Sequence, residues 1–183
     1  MRIFNGIQSS ARPHLGNILG CVLPTIKLFK ENTSKDNLFF IADLHSLTSL
    51  KDAKERKKNI FEILSVFLSF GLQEENCIIF LQSKIKEILE LNWYLACHTP
   101  YKMICNAHSF KDKQNNLSEV NCGIFTYPIL MSSDILIFDS EIVPVGKDQI
   151  QHIEITRDIA KSFNFLYGES FKIPTYLENQ ILT

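Results

Sequence analysis

Residues 2–30, R-I-F-N-G-I-Q-S-S-A-R-P-H-L-G-N-I-L-G-C-V-L-P-T-I-K-L-F-K, decide the fold. The stretch opens on Arg2 to Ile7, a short and largely apolar segment that reads as a buried strand. A polar loop follows. The chain then takes up helical spacing at Leu15, Ile18, Leu19, Val22, Leu23, Ile26 and Phe29. Pro24 lies inside this helix and is expected to kink it, because proline removes one backbone N–H from the helical ladder. The unit is thus strand, loop, helix.

The same unit recurs downstream. Leu38-Phe39-Phe40-Ile41-Ala42 is a second buried strand, closed by Asp43 and His45, and Asp52 to Phe70 is an amphipathic helix stopped by Gly71. Cys77 to Leu81 is a third strand and Lys84 to Cys97 a helix ended before Pro100. Lys102 to Cys105 extends it, and Asn106 to Asn121 is a polar loop. A short helix around Thr126 to Asp134 leads into Ile135-Leu136-Ile137-Phe138, expected to be the fourth strand, and Gly146 to Phe163 is the last helix. Strands that are apolar throughout, alternating with helices, predict an α/β domain with a doubly wound parallel sheet and helices on both faces. Such sheets bind ligands beyond the carboxyl ends of their strands.

Composition agrees with one globular domain. The chain has 183 residues, 45% hydrophobic and 21% charged, and a net charge of −1. Nothing in it approaches a membrane-spanning run or a signal peptide, so the expected location is cytoplasmic, without membrane partners. Five cysteines at wide spacings read as reduced thiols, and the adjacent pair Cys97-His98 lacks metal-ligand spacing. The basic run Lys51 to Lys58 reads as the solvated face of a helix rather than a nucleic-acid patch.

The loops after the strands carry the chemistry. Gly6-Ile7-Gln8-Ser9-Ser10-Ala11-Arg12-Pro13-His14-Leu15-Gly16-Asn17 places glycines and side-chain donors at a helix start, where free N–H groups and the helix dipole favour an anion. A phosphate site and an ordinary strand-to-helix turn both fit these residues. After the second strand, Asp43-Leu44-His45-Ser46 offers a histidine that serves equally as a structural residue. Val143-Pro144-Val145-Gly146-Lys147-Asp148-Gln149 sets a glycine, a cation, a carboxylate and an amide at another helix start, with Asp148 either accepting from ribose hydroxyls or capping the helix. Asp134, beside Met131 and an apolar run, is expected to be half buried and to need a donor, from the backbone or from a ligand N–H.

Taken together, these segments resemble the tryptophanyl-tRNA synthetases, class I aminoacyl-tRNA synthetases with a Rossmann-like catalytic domain. Residues 6–17, G-I-Q-S-S-A-R-P-H-L-G-N, look like that family's HIGH signature. F-I-A-D-L-H-S-L-T (40–48) looks like its second-strand loop, T-Y-P-I-L-M-S-S-D-I-L (126–136) like its amino-acid pocket, and V-P-V-G-K-D-Q-I-Q-H-I-E-I-T-R-D-I-A (143–160) like its G-x-D-Q segment. The resemblance implies that Gln8, Ser9, Ser10, Gly16 and Asn17 contact ATP, with His14 at the HIGH position, and that Gly146, Lys147 and Asp148 contact adenosine. It implies that Asp134 accepts the indole N–H, that Tyr127 and Gln149 hold the amino end, and that Phe4, His45, Met131, Val143 and Val145 line the ring pocket. Phe110-Lys111-Asp112-Lys113 resembles a family loop whose lysine reaches the triphosphate, at Lys113. His14, Asn17 and Lys113 are therefore the expected catalytic residues.

The implied activity is ATP-dependent formation of tryptophanyl-adenylate and its transfer to tRNA(Trp), with Mg²⁺ carried by the ATP rather than by a protein metal site. The amino acid's carboxylate is already ionised, so positioning and phosphate-charge stabilisation are needed and a general base is not. A homodimer is implied as well. Two departures stand out. Ala11 replaces the glycine usual in the first loop, and residues 1–183 end before the family's K-M-S-K-S-type loop and anticodon-binding helical domain. The expectation is an N-terminal catalytic segment that binds ATP and tryptophan weakly and charges tRNA poorly. The competing readings are a tyrosyl-tRNA synthetase-like enzyme and a non-catalytic ATP- and tryptophan-binding or dimerisation fragment.

Overall fold

The computed structural model describes residues 1–32, 36–107 and 120–178. Its parallel strands are β1 (Phe4–Gln8), β2 (Leu38–Ala42), β3 (Ile78–Leu81), β4 (Ile142–Val145) and β5 (Thr175–Glu178). β1, β2 and β3 form one sheet and β4 and β5 another, each with parallel pairing. A parallel bridge between Ile3 and Ile142 joins the two edges. Across that bridge the order is 3-2-1-4-5, so the winding reverses between β1 and β4, as in a Rossmann-like sheet.

The five apolar residues of β2 show why the sheet needs helices on both faces. Phe39 and Ile41 pack on one side with Val22, Ile26, Phe29, Ile63 and Phe67. Leu38, Phe40 and Ala42 pack on the other with Phe4, Ile135, Val143, Val145 and Ile153. The alternation is the strand's own two-residue period. One face is covered by α2 (Leu23–Glu31) and α4 (Ala53–Ser69), the other by α7 (Cys122–Leu136) and α8 (Ile150–Tyr167). Burial of each large apolar side chain stabilises the fold by about 1.5–3 kcal/mol, and the Phe39–Phe67 ring pair, with centroids 4.2 Å apart, adds a direct aromatic contact. A third cluster, including Leu95, Ile104, Ile129, Leu136 and Ile159, ties α7 and α8 to α5 (Glu87–His98) and α6 (Tyr101–Cys105).

The first helix is broken where proline requires it. α1 (Leu15–Asn17) passes through a π-type turn, Ile18–Val22, into α2, with the Leu23 N–H donating to the Ile18 carbonyl five residues back. Pro24 sits at the start of α2, where its missing N–H is tolerated. α4 begins on Asp52, whose carboxylate accepts from the N–H groups of Lys54 and Glu55 at 2.8 and 2.9 Å. It ends before Gly71, whose φ of 94° is the left-handed conformation that glycine adopts freely. Lys51, Lys54, Lys57 and Lys58 lie on the exposed face of this region. All five cysteines are free thiols.

One expected element is wrong. Ile135 to Phe138 is not the fourth strand: Ile135 and Leu136 complete helix α7, and the strand is Ile142–Val145. The helix from Ile124 onwards is buried on nearly every side, at Pro128, Ile129, Ser132, Ser133, Asp134, Ile135 and Leu136. An apolar run buried all round has the same local pattern in a helix as in a central strand. The helix ends in a reversal at Asp139, with φ 50°, where the Asp139 and Ser140 N–H groups donate to the Leu136 and Ile135 carbonyls. β5 was not foreseen because all four of its residues are exposed.

The seam between β1 and β4 closes only at its start. The Ile142 N–H donates to the Arg2 carbonyl at 3.1 Å. Alternate residues of a strand face the same neighbour, so position 144 is the next to present an N–H towards β1. It is Pro144, which has none. The sheet therefore parts at its carboxyl end, at the point where its winding reverses.

Candidate functional site

A cleft of about 460 Å³ occupies this parting. Its floor is β1 and β4, with Phe4, Asn5, Gly6 and Gln8 on one side and Val143, Pro144 and Val145 on the other. Asn17 and Gly16 from the first helix, His45 beyond β2, Tyr127, Met131 and Asp134 from α7, and Gly146, Asp148 and Gln149 beyond β4 complete it. Most of the residues singled out in the sequence therefore share one cavity.

Four that are described do not line it. Ser9 is buried with its backbone carbonyl accepting from the Asn59 amide at 3.3 Å. Ser10 lies beside it in the loop. His14 is exposed and caps the first helix: its Nδ1 accepts from the Gly16 N–H and the Asn17 side chain accepts from the His14 N–H, both at 3.1 Å. Lys147 is exposed in the short 3-10 turn Lys147–Gln149. Lys113 and the loop around it lie outside the described residues.

Two glycines act through close approach to side chains. A Cβ on Gly6 would lie 2.1 Å from the Phe40 ring, so glycine here is what lets Phe40 stack on Phe4, with centroids 4.7 Å apart. A Cβ on Gly16 would come 2.9 Å from the His14 ring, so glycine there leaves space for the histidine cap.

The deep end of the cleft is built around Asp134. It is 1% exposed rather than half buried, because the helix that carries it continues two residues further than expected and is covered on both sides. Its carboxylate accepts from Gln82 Nε2 at 2.8 Å on each oxygen, and its Oδ2 lies 2.9 Å from His45 Nε2. Burial pushes its carboxyl above the usual carboxylate range, and the contacts with His45 and Gln82 oppose that shift. The Tyr127 ring lies over His45, with centroids 4.2 Å apart. Burial, and then the charges of Asp134 and Asp148, push the Tyr127 phenol up to about 12. Gln8 braces the same corner, its amide donating to the His45 carbonyl at 2.8 Å.

The shallow end differs in kind. Asp148 is exposed and accepts from the Gln149 amide at 2.7 Å. It does not cap the helix there, since Gly146 takes that position without a side-chain bond. The helix start at His14–Asn17 faces this end through Gly16 and Asn17. The cleft thus runs from an apolar pocket with one buried acceptor to a polar mouth with a helix N-terminus. It can hold a flat apolar ring with a single N–H donor at one end and an anionic, hydroxyl-bearing group at the other. Among the described residues no group of three His, Cys, Asp or Glu side chains could hold a metal ion. Among them also, no helix is long and apolar enough to cross a membrane.

Gln82 was missed. It follows β3 directly, in the 3-10 turn Gln82–Lys84, so the signal that pointed to the other loops, position beyond a strand's carboxyl end, was present here too.

Comparison with known proteins gives a consistent result. A tryptophan–tRNA ligase of Rhodopirellula baltica is 42% identical over 174 residues, covering 95% of this chain and 53% of the relative. One from Fusobacterium nucleatum is 47% identical over 174 residues, covering 94% and 53%. The crystal structure of Campylobacter jejuni tryptophanyl-tRNA synthetase complexed with ADP and tryptophan superposes with a TM-score of 0.93 at 40% identity, covering 100% of this chain and 56% of that one. The chain spans a little over half the length of these relatives. The family model describing class I tRNA synthetases (W and Y) matches residues 1–183, and the chain belongs to that family.

Proposed function

We propose that residues 1–183 form the catalytic domain of a tryptophan–tRNA ligase, which activates L-tryptophan with ATP and passes the product to tRNA(Trp). The observation that carries the choice of amino acid is Asp134, a fully buried acceptor at the end of a pocket walled by Phe4, His45, Met131, Val143 and Val145. Indole has a ring nitrogen that only donates, so it satisfies this acceptor. Phenylalanine offers no donor to add to those of Gln82 and His45, and a site built to receive a substrate N–H discriminates against an analogue that lacks one. A phenol can donate as well; the choice of tryptophan over tyrosine is supported by the similarity to tryptophan–tRNA ligases.

In this reading Tyr127 and Gln149 hold the amino end, so that the carboxylate points to the mouth. There Gly16 and Asn17 of the first helix, with Gln8 at the end of β1, meet the nucleotide, and Gly146, Lys147 and Asp148 meet its adenosine. Ser9 and Ser10 contribute through the backbone of the loop, because the Ser9 side chain is turned into the protein. A bond forms between the tryptophan carboxylate oxygen and the α-phosphorus, and the bond from that phosphorus to pyrophosphate breaks. His14 and Asn17 fix the helix N–H groups, and Lys113 supplies positive charge to the leaving phosphates. Mg²⁺ would ride on the triphosphate and neutralise part of its charge. The hydroxyl at the tRNA's end then displaces AMP from the adenylate. The reaction belongs in the cytoplasm. A homodimer is supported by apolar surface on α5 and α8: Trp93 is 70% and Phe165 89% exposed.

Calorimetric titration with ATP and with L-tryptophan, singly and together, tests the binding half of this reading, and tryptophan-dependent ATP–pyrophosphate exchange tests the chemistry. Heat from ATP with none from tryptophan would remove the assignment of the amino acid.

A further inference from the structure

The acceptor at the end of the pocket does not stand alone. We infer that Gln82 is a positioning and specificity residue: it orients Asp134 and keeps it in the ionised, accepting state that selects a ring N–H. The inference rests on the proposed role of Asp134 and extends it to a residue on a different strand.

The geometry leaves the Gln82 amide one orientation. Its Oε1 accepts from the backbone N–H of Leu44 at 3.0 Å and lies 3.4 Å from the N–H of His45. These are among the unpaired donors in the first turn of α3 (Asp43–Ser46), so the side chain caps that helix across the sheet. With Oε1 committed to donors, Nε2 must face the carboxylate, and it lies 2.8 Å from both oxygens of Asp134. The reversed amide would set N–H against N–H and carbonyl against carboxylate. Gln82 is fully buried, so water does not compete for any of these bonds. The turn that carries it is itself pinned, the Ser83 N–H donating to Asp43 Oδ1 at 2.9 Å.

This arrangement helps to hold Asp134 ionised, beside His45, whose contact opposes the effect of burial more strongly, and against the nearby charge of Asp43. A carboxyl buried in an apolar setting tends to take a proton. A protonated Asp134 would offer an O–H where the ligand also offers a donor, and the pocket would lose its preference for indole. A donor fixed on both oxygens favours the ionised form. His45 Nε2, 2.9 Å from Oδ2, reaches one oxygen only. Gln82 serves both.

Two substitutions separate this role from a merely structural one. Gln82→Glu keeps an oxygen for the Leu44 and His45 N–H groups and sets a second carboxyl against Asp134, so that the two share a proton. Gln82→Met removes the donor at similar size. The probes are L-tryptophan and its isostere β-(benzothiophen-3-yl)-L-alanine, in which sulfur replaces the ring N–H. The readouts are the ratio of their dissociation constants and the ¹³C titration of the Asp134 carboxyl in ligand-free protein. Thermal melting verifies folding.

The expected result is a tryptophan preference that falls at least tenfold in both variants, an Asp134 titration moved to higher pH, and an ATP affinity within about twofold of the parent. A purely structural Gln82 would change melting and leave the ratio alone. Folded variants with the parent's ratio and titration would overturn the inference. So would an Asp134 carboxyl still protonated at pH 7 in the parent chain, a result that does not depend on either variant folding. Asp134→Asn distinguishes the two levels. If it keeps the parent's ratio, the role given to Asp134 fails and the inference with it. If it abolishes the ratio while both Gln82 variants keep theirs, only the inference fails.

Discussion

The two ends of the cleft are built by opposite means. At the deep end, Asp134, His45 and Gln82 are all buried and bonded to one another, and the Tyr127 ring lies over His45. Around the mouth, His14 and Asp148 are exposed, and their side-chain hydrogen bonds are local, to residues one or two positions away. A buried network has few alternative arrangements and strong electrostatics, and it suits discrimination between similar ligands. Exposed local caps are weak singly and suit an anion whose binding energy is shared over many donors. The difference predicts that single substitutions act steeply at the deep end and shallowly at the mouth.

The largest effect is expected from Asp134→Asn. It replaces a carboxyl acceptor with an amide facing the Gln82 donor and the His45 ring nitrogen. Tryptophan affinity should fall about 100-fold or more, about 3 kcal/mol, with ATP affinity unchanged; titration calorimetry reads both. An effect of less than about fivefold would erase the contrast between the two ends.

Next comes the alkaline limb of stability. The Tyr127 phenol is pushed from 10.0 up to about 12 by burial and then by Asp134 and Asp148. The folded chain thus keeps a proton that the unfolded chain releases. The contribution is complete below about pH 10 and is lost as pH rises from about 10 to 12, amounting to about 3 kcal/mol. Urea unfolding across that window measures it, and Tyr127→Phe should flatten the slope.

At the mouth, His14→Ala removes the helix cap. A loss of about 1 kcal/mol is expected in stability, with ATP bound about fivefold more weakly and tryptophan unaffected. An effect on ATP as large as that of Asp134→Asn on tryptophan would show that the mouth is no shallower than the pocket.

The smallest effect is at Pro144, where β1 and β4 part. Pro144→Val restores an N–H facing β1 and lets the β1–β4 ladder extend by a bond. Stability should rise by about 0.5–1 kcal/mol, as read by urea titration, while the narrowed cleft binds tryptophan more weakly.

Much of this was legible in the sequence, for reasons that differ from element to element. β1, β2 and β3 announce themselves because each is a short apolar run ahead of a helix with clear spacing, and α4 because Asp52 and Gly71 mark its ends. The cleft residues could be gathered because residues 6–17, 40–48, 126–136 and 143–160 together resemble the motifs of one family; each loop alone also fitted an ordinary structural role. Position beyond a strand's end is also where Gln82 lies, yet one glutamine in Gln82-Ser83-Lys84 forms no motif, and its meaning appears only when Asp134, a distant residue in the chain, arrives beside it. The strand expected at 135–138 failed because complete burial erases the difference between helical and extended patterns. β5 left no apolar trace because none of its residues is buried.

The central claim is that this cleft recognises tryptophan through a buried acceptor. Its most direct test is equilibrium binding of L-tryptophan, L-tyrosine and L-phenylalanine to the parent chain and to Asp134→Asn, by calorimetry in the presence of ATP. Saturable binding of tryptophan, at least 100-fold tighter than that of either other amino acid and lost in Asp134→Asn, is the predicted result. Equal or tighter binding of tyrosine, or tryptophan binding unchanged in Asp134→Asn, would contradict the claim.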